Sequence, residues 1–262
     1  TTAAGAEIPQ VRRAYETFGH LNDAGDNAIL VFHALTGDSH LVGPAGAGHS
    51  TDGWWAEIVG PGKALDTDRF CIIAPNVLGG CQGSTGPASL DPHGAEWGGR
   101  FPYLTIRDQV RATMAFADTL GIERFHTVIG GSMGGMHALE WALCAPGRAE
   151  RLAVIAAPPV TTADQIGLNL VQLEAIRSDP AYRGGNYYDA PDGIGPHHGL
   201  ATARRLALLN YRSHTELDER FGRAWQSAVS PLGGGGRFAV ESYLRSEEHT
   251  SDLQSHHDLV CR

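Results

Sequence analysis

The string Gly130-Gly131-Ser132-Met133-Gly134-Gly135 limits what this chain can fold into more than any other stretch of it. It follows an apolar run, residues 125–129 (FHTVI), and precedes a helical pattern over residues 133–145 that Pro146 closes. A strand that stops at glycines and re-enters at once as a helix needs a cramped turn, and here a serine stands at its apex. A parallel sheet with helices between its strands makes such turns.

Other segments agree with that class. Residues 28–32 (AILVF), 70–74 (FCIIA) and 152–157 (LAVIAA) are apolar runs bounded by Gly, Pro or polar loops, and they read as buried strands. Thr105 is placed to N-cap a helix whose apolar positions Ile106, Val110, Met114, Ala117 and Leu120 follow the 3.6-residue period, with Gly121 to end it. Strands alternating with helices predict an α/β fold with a mostly parallel sheet covered on both faces.

After Pro159 the texture changes. Residues 162–177 and 200–211 are helical in pattern, and a Gly-, Tyr- and Pro-rich stretch separates them. The expected organisation is a core domain over residues 1–159 and a helical cap over 160–244. Residues 245–262 (RSEEHTSDLQSHHDLVCR) hold no sustained period and read as an aberrant, non-native tail standing where the sheet's final strands are expected. Thr1 rather than Met opens the chain, which reads as a trimmed start, and no secretion leader is seen there.

Composition excludes several function classes. A net charge of −9 and a pI near 5.8 leave no basic face for nucleic acid. No apolar run reaches the ~20 residues that cross a bilayer, so no membrane partner is expected. The cysteines at 71, 81, 144 and 261 are too scattered for a zinc ribbon or a disulfide scaffold, and they fit a reducing, cytoplasmic setting. No group of His, Asp and Glu shows metal-ligand spacing, so no metal is expected.

The chemistry centres on Ser132. G-x-S-x-G between a strand and a helix is the setting of a nucleophile elbow, which lifts the hydroxyl above the strand ends. The flanking Gly131 and Gly134 are expected to make room for it. Met133 N–H, at the start of the helix, is one candidate oxyanion donor, and Leu35 N–H, in the loop after residues 28–32, is the other. His33 and His40 in that loop (HALTGDSH) read as hydrogen-bonding residues that hold it. A serine hydroxyl also needs a histidine base and a carboxylate, which follow the serine in this chain order. His137 lies on the nucleophile's own helix, His197, His198 and His214 lie in the cap, and His249, His256 and His257 lie in the odd tail. None is in the right setting, the tail histidines having no strand before them, so the triad's Asp and His are read as absent. The glycine-rich residues 77–86 lack the lysine of a phosphate loop and read as a shaped loop. Cys81 has no His–Asp pair spaced to serve it as a nucleophile. Arg204 and Tyr211 are two helical turns apart and share a face; Arg204 there is either a solvated surface residue or a clamp for a carboxylate.

Several strings together resemble one family. HALTGDSH at 33–40, GWW at 53–55, DTDRF at 66–70, NVLGGCQGSTGP at 76–87, TIRDQV at 105–110, GGSMGG at 130–135, ALEWA at 138–142, ADQIG at 163–167, YRS at 211–213 and VESYL at 240–244 are similar to the homoserine O-acetyltransferases of methionine biosynthesis, in the α/β-hydrolase superfamily. The resemblance implies an α/β-hydrolase fold and transfer of an acetyl group from acetyl-CoA, through an acyl-Ser132, to the hydroxyl of L-homoserine. It implies Arg204 and Tyr211 in the homoserine pocket, Leu35 and Met133 at the oxyanion, no bound cofactor, and a cytoplasmic homodimer paired through the caps. Homoserine O-succinyltransferase and an esterase are the alternatives, with an inactive binding protein on the same fold as the non-enzyme one. The family pattern departs after Leu244, and this leads to the expectation that the chain as it stands is inactive.

Overall fold

A computed structural model describes residues 1–46, 48–191 and 193–245, so the expected tail from Ser246 onward lies outside the described residues. The chain divides into two compact units, which part between Val160 and Thr161.

In the first unit a five-stranded sheet runs in the order β1 (Tyr15–Phe18), β5 (Cys71–Pro75), β2 (Ala28–Phe32), β6 (Phe125–Gly131), β7 (Ala149–Ile155). The pairs β5–β2, β2–β6 and β6–β7 are parallel and β1 joins antiparallel at one edge. β3 (Val59–Gly60) and β4 (Leu65–Asp66) form a separate two-stranded ladder. The mostly parallel sheet is the one the apolar runs predict.

β2 shows why a parallel strand reads as continuously apolar. Ala28, Leu30 and Phe32 enter one core cluster and Ile29 and Val31 the other, since successive side chains take opposite faces. On the first face lie α1 (Ile106–Thr119) and α2 (Met133–Cys144), whose Val110, Ala117, Ala138 and Trp141 complete the cluster. Trp141 is fully buried and edge-on to Phe125 with ring centroids 5.5 Å apart, so Trp141→Ala would cost about 3–5 kcal/mol. On the opposite face, among the described residues of this unit, the segment between β2 and β5 packs through Leu41, Val59 and Leu65. α1 begins as its sequence predicts. Thr105 Oγ1 accepts the Asp108 N–H at 3.1 Å and Asp108 Oδ2 accepts the Thr105 N–H at 2.9 Å, a reciprocal cap contributing about 1 kcal/mol.

Two strands differ from expectation. β1 matches none of the apolar runs: its four residues, YETF, carry a charge and alternate in burial, too short a pattern to stand out. β7 starts earlier than the apolar run, at Ala149, and is not buried. Glu150, Arg151, Leu152 and Ile155 are exposed, because β7 is the sheet's other edge among the described residues.

The second unit holds α3 (Ala163–Arg177), α4 (His197–Asn210) and α5 (His214–Arg220). Thr162 and Gln165 cap α3 reciprocally. α4 lies so close to the end of α3 that a Cβ on Gly199 would stand 2.4 Å from the Ala175 carbonyl. Asp179 ties the two, accepting the N–H groups of Gly199 and Ala181 at 2.9 Å each. Tyr243 closes the unit: its hydroxyl donates to the Leu208 carbonyl and accepts from Arg212 Nε, and its ring stacks on Phe221.

Candidate active site

Strand order places the site. From β2 the chain proceeds to β5 on one side of it, whereas β6 leads on to β7 on the other. Parallel α/β sheets bind ligands outside the carboxyl ends of two strands that diverge in this way. The loop with Leu35 leaves β2 at that point and Ser132 ends β6, with Phe32 and Gly130 paired in register.

Ser132 is exposed and has φ 54°, ψ −121°, a backbone region that costs a non-glycine residue about 1–3 kcal/mol. Both neighbouring elements hold it there. Its N–H donates to the Ile155 carbonyl of β7 at 2.9 Å, and its carbonyl accepts from Gly135 and Met136 at 2.9 and 3.2 Å. Met133 N–H then heads α2, where the helix offers no carbonyl of its own and the helix dipole favours negative charge. Among the described residues no side chain hydrogen-bonds to Ser132 Oγ.

The glycines divide differently from expectation. A Cβ on Gly130 would lie 2.1 Å from the Gly134 carbonyl oxygen, one on Gly134 would lie 2.1 Å from the Phe32 carbonyl oxygen, and one on Gly135 would lie 2.5 Å from Ala157 Cβ. At Gly131 the nearest atom is 3.9 Å away and φ is not positive, so Gly131 is not required for space. Gly130 and Gly131 are both strand residues, paired with Val154 and Ile155, and successive strand residues point to opposite faces, so only Gly130 is set against Gly134 across the turn. The Gly134 contact also sets the first turn of α2 directly against the end of β2.

His33 holds the loop after β2, as its sequence setting suggests. It is buried, its Nδ1 meets the Ala34 carbonyl at 2.7 Å, and its Nε2 accepts the Val77 N–H at 3.1 Å. Val77 opens the glycine-rich segment, which closes on itself. Gly79 N–H donates to Thr85, Ser84 Oγ donates to the Asn76 carbonyl, and Asn76 Nδ2 donates to the Cys81 carbonyl. Leu35 stands beyond His33 in a turn closed by Gly37 N–H on the Ala34 carbonyl, and its side chain is exposed.

His137 is buried inside α2, its Nδ1 on the Met133 carbonyl at 2.9 Å and its ring stacked on Phe32. Burial pushes its pKa down to about 4; the Met133 carbonyl opposes the shift and the buried Arg13 guanidinium adds to it. It is neutral near pH 7 and packs the floor beneath the elbow.

In the second unit, Arg204 is half-buried on α4 and Tyr211 caps that helix with its side chain exposed. Arg204 follows the buried Ala203, whereas Tyr211 stands at the helix end, eight residues beyond Ala203.

One cluster escaped the sequence reading. Glu16 of β1, His40 of the loop after β2, and His49 bring a carboxylate oxygen and two ring nitrogens within 4.8 Å of one another. Glu16 lies 24 residues before His40, so no ligand spacing marks the group in the sequence, and the fold sets edge strand β1 against the loop that carries both histidines.

Comparison with known proteins agrees with the geometry. A family model for the alpha/beta hydrolase fold matches residues 27–252. The homoserine O-acetyltransferase of Leifsonia xyli subsp. xyli is 67% identical over 241 residues, 92% of this chain and 60% of that protein. The crystal structure of the homoserine O-acetyltransferase from Bacillus anthracis superposes with a TM-score of 0.86 at 30% identity, over 100% of this chain and 71% of that one. That of esterase E22 gives 0.84 at 31% identity, over 100% and 72%. The chain thus spans about 60% of the length of that curated relative.

Proposed function

The chain belongs to the α/β-hydrolase fold family, and from that premise we propose that it is the larger part of a homoserine O-acetyltransferase. The observation that carries this reading is Ser132 on its strained turn at the divergence of β2 and β6, in a chain 67% identical to a relative of that name.

In this reading acetyl-CoA and L-homoserine are the substrates, and no cofactor is resident. Ser132 Oγ attacks the thioester carbonyl carbon while a histidine takes its proton. The tetrahedral oxyanion is held by the N–H groups of Met133 and Leu35, donors fixed in advance of the charge they meet. Collapse expels the CoA thiolate, which takes up that proton, and leaves an acetyl ester on Ser132. The homoserine hydroxyl then attacks this ester, its proton passes through the same histidine to Ser132 Oγ, and O-acetyl-L-homoserine leaves. Arg204 grips the homoserine carboxylate with a planar fork of donors, and Tyr211 lines the same pocket. The histidine and its carboxylate come from residues beyond those described here. The setting is the cytoplasm, and the assembly is a dimer paired through the helical units; among the described residues no helix is long and apolar enough to cross a membrane.

Esterase E22 supports a second reading, since a scaffold this similar also carries hydrolysis. The two differ in whether water or homoserine takes the acyl group. Acetyl-CoA, succinyl-CoA and homoserine supplied together to the chain, extended to its relatives' length, decide among them. O-acetylhomoserine as the main product by mass supports the proposal. O-succinylhomoserine alone, or free acetate at an equal rate without homoserine, overturns it.

A further inference from the structure

The cluster of Glu16, His40 and His49 lies outside everything the acyl-transfer chemistry uses. His40 Nδ1 stands 3.1 Å from Glu16 Oε2, and His49 Nε2 stands 3.4 Å from Glu16 Oε1. Ser39 Oγ donates to Glu16 Oε1 at 3.3 Å and so orients the carboxylate. The two imidazoles are stacked, with centroids 3.8 Å apart and planes 10° from parallel. Their other nitrogens, His40 Nε2 and His49 Nδ1, are buried without a hydrogen-bond partner. Each ring thus has the Glu16 carboxylate as its one partner, and the two near nitrogens and that carboxylate converge on one small volume.

We propose that Glu16, His40 and His49 form a binding site for one divalent transition-metal ion, with zinc the best match. Two imidazoles and one carboxylate suit zinc and its neighbours, and a three-ligand set leaves the fourth tetrahedral position to water. Bonds of about 2.0–2.2 Å set tetrahedral ligand atoms roughly 3.3 Å apart. His40 Nδ1 and His49 Nε2 stand 3.1 and 3.4 Å from the two different oxygens of Glu16, and one ligand atom from each residue lies within 4.8 Å of the others, near enough to gather on one ion once a ring turns. On ligation His40 Nδ1 and His49 Nε2 give lone pairs to the ion, and each neutral ring keeps its single proton on the far nitrogen.

Parallel rings cannot both hold one ion in their planes, so one ring turns on binding. His49 is the one able to do so. Its side chain is 28% exposed, against 8% for His40. It closes a turn through mutual backbone bonds with Gly46, and a Cβ on the adjacent Gly48 would meet nothing within 4 Å. His40 is hemmed in, since a Cβ on Gly43 would lie 2.9 Å from its Cε1. Once bound, the ion would tie edge strand β1 to the loop that continues from Leu35.

The test is titration of the purified chain with Co²⁺ and then Zn²⁺, read by the visible absorption of tetrahedral cobalt and by melting temperature. One equivalent of Co²⁺ is expected to give the tetrahedral bands, Zn²⁺ to displace it, and Zn²⁺ to raise the melting temperature. Glu16→Gln and His49→Gln should each weaken binding by roughly 100-fold or more and remove the thermal shift. His49 sits in an open turn, so His49→Gln keeps the fold and keeps the comparison interpretable. Absence of stoichiometric binding in the unmodified chain overturns the proposal. Binding that survives in His49→Gln also overturns it, because the ion then sits elsewhere.

Discussion

Ser132 donates its N–H to the Ile155 carbonyl at 2.9 Å, one residue past the last ladder pair of β6 with β7. The serine is therefore still anchored as a strand residue on its amide side, while its φ of 54° already turns the chain into α2. That anchoring is what fixes the hydroxyl, since a strained residue persists only where its surroundings over-determine it.

The glycine geometry yields a paired prediction. Gly134→Ala places a methyl 2.1 Å from the Phe32 carbonyl oxygen, between two backbones that cannot give way separately. It should destabilise the chain by about 3 kcal/mol or more and displace the elbow. Gly131→Ala meets nothing closer than 3.9 Å and should change stability by less than about 1 kcal/mol. Denaturant midpoints of the two variants check this; equal losses would show that the clash at Gly134 relaxes.

The apolar runs mark β2 and β5 because strands buried on both faces have no polar residues to break the run, and β6 is marked by its buried Phe125, Val128 and Ile129 ahead of the glycines. Thr105 announced α1 because a cap is local chemistry. Which glycine of GGSMGG is needed was not legible, since the clash at Gly134 is with Phe32, a residue remote in sequence. Glu16, His40 and His49 were hidden for the same reason, and β1 because an edge strand of four residues shows too little pattern.

His137 should steepen the loss of stability in acid. Its pKa is near 6.5 unfolded and about 4 in the folded chain, so below 6.5 the unfolded state binds a proton that the native state does not. Its contribution is full above about pH 6.5 and declines as pH falls toward 4, by on the order of 3 kcal/mol in all. Asp91, held down to about 2 by Arg100, loses its contribution only at lower pH, outside that window. Denaturant unfolding between pH 4 and 7 should show a shallower slope in His137→Gln, which is less stable at neutral pH but has no imidazole to charge. An unchanged slope would assign the acid limb to other groups.

Arg204→Lys separates a substrate clamp from a structural residue. Lysine keeps the charge and loses the fork. In a chain extended to its relatives' length, the step that consumes homoserine should weaken by at least about tenfold, while acetylation of Ser132 by acetyl-CoA is nearly unchanged. Stopped-flow release of CoA and steady-state homoserine dependence measure the two halves. Equal losses in both would make Arg204 a support of α4 rather than a ligand for the carboxylate.

The described residues hold part of an acyl-transfer machinery. They supply an anchored serine and a helix-start N–H, but among the described residues nothing hydrogen-bonds to Ser132 Oγ. A serine without its base keeps only what oxyanion donors and binding provide, roughly 10³–10⁴-fold over water. The 262-residue chain should therefore acetylate slowly, and adding a relative's carboxyl-terminal segment after Leu244 should raise turnover by several orders of magnitude. In that extended form Ser132→Ala should remove roughly 10⁴–10⁶-fold of the activity. The measurements are turnover with acetyl-CoA and homoserine, and acetyl-enzyme by intact mass, across the three proteins. Full turnover by the shorter chain would mean that residues 1–262 carry a base after all. Near-normal turnover in Ser132→Ala would remove the serine from the chemistry.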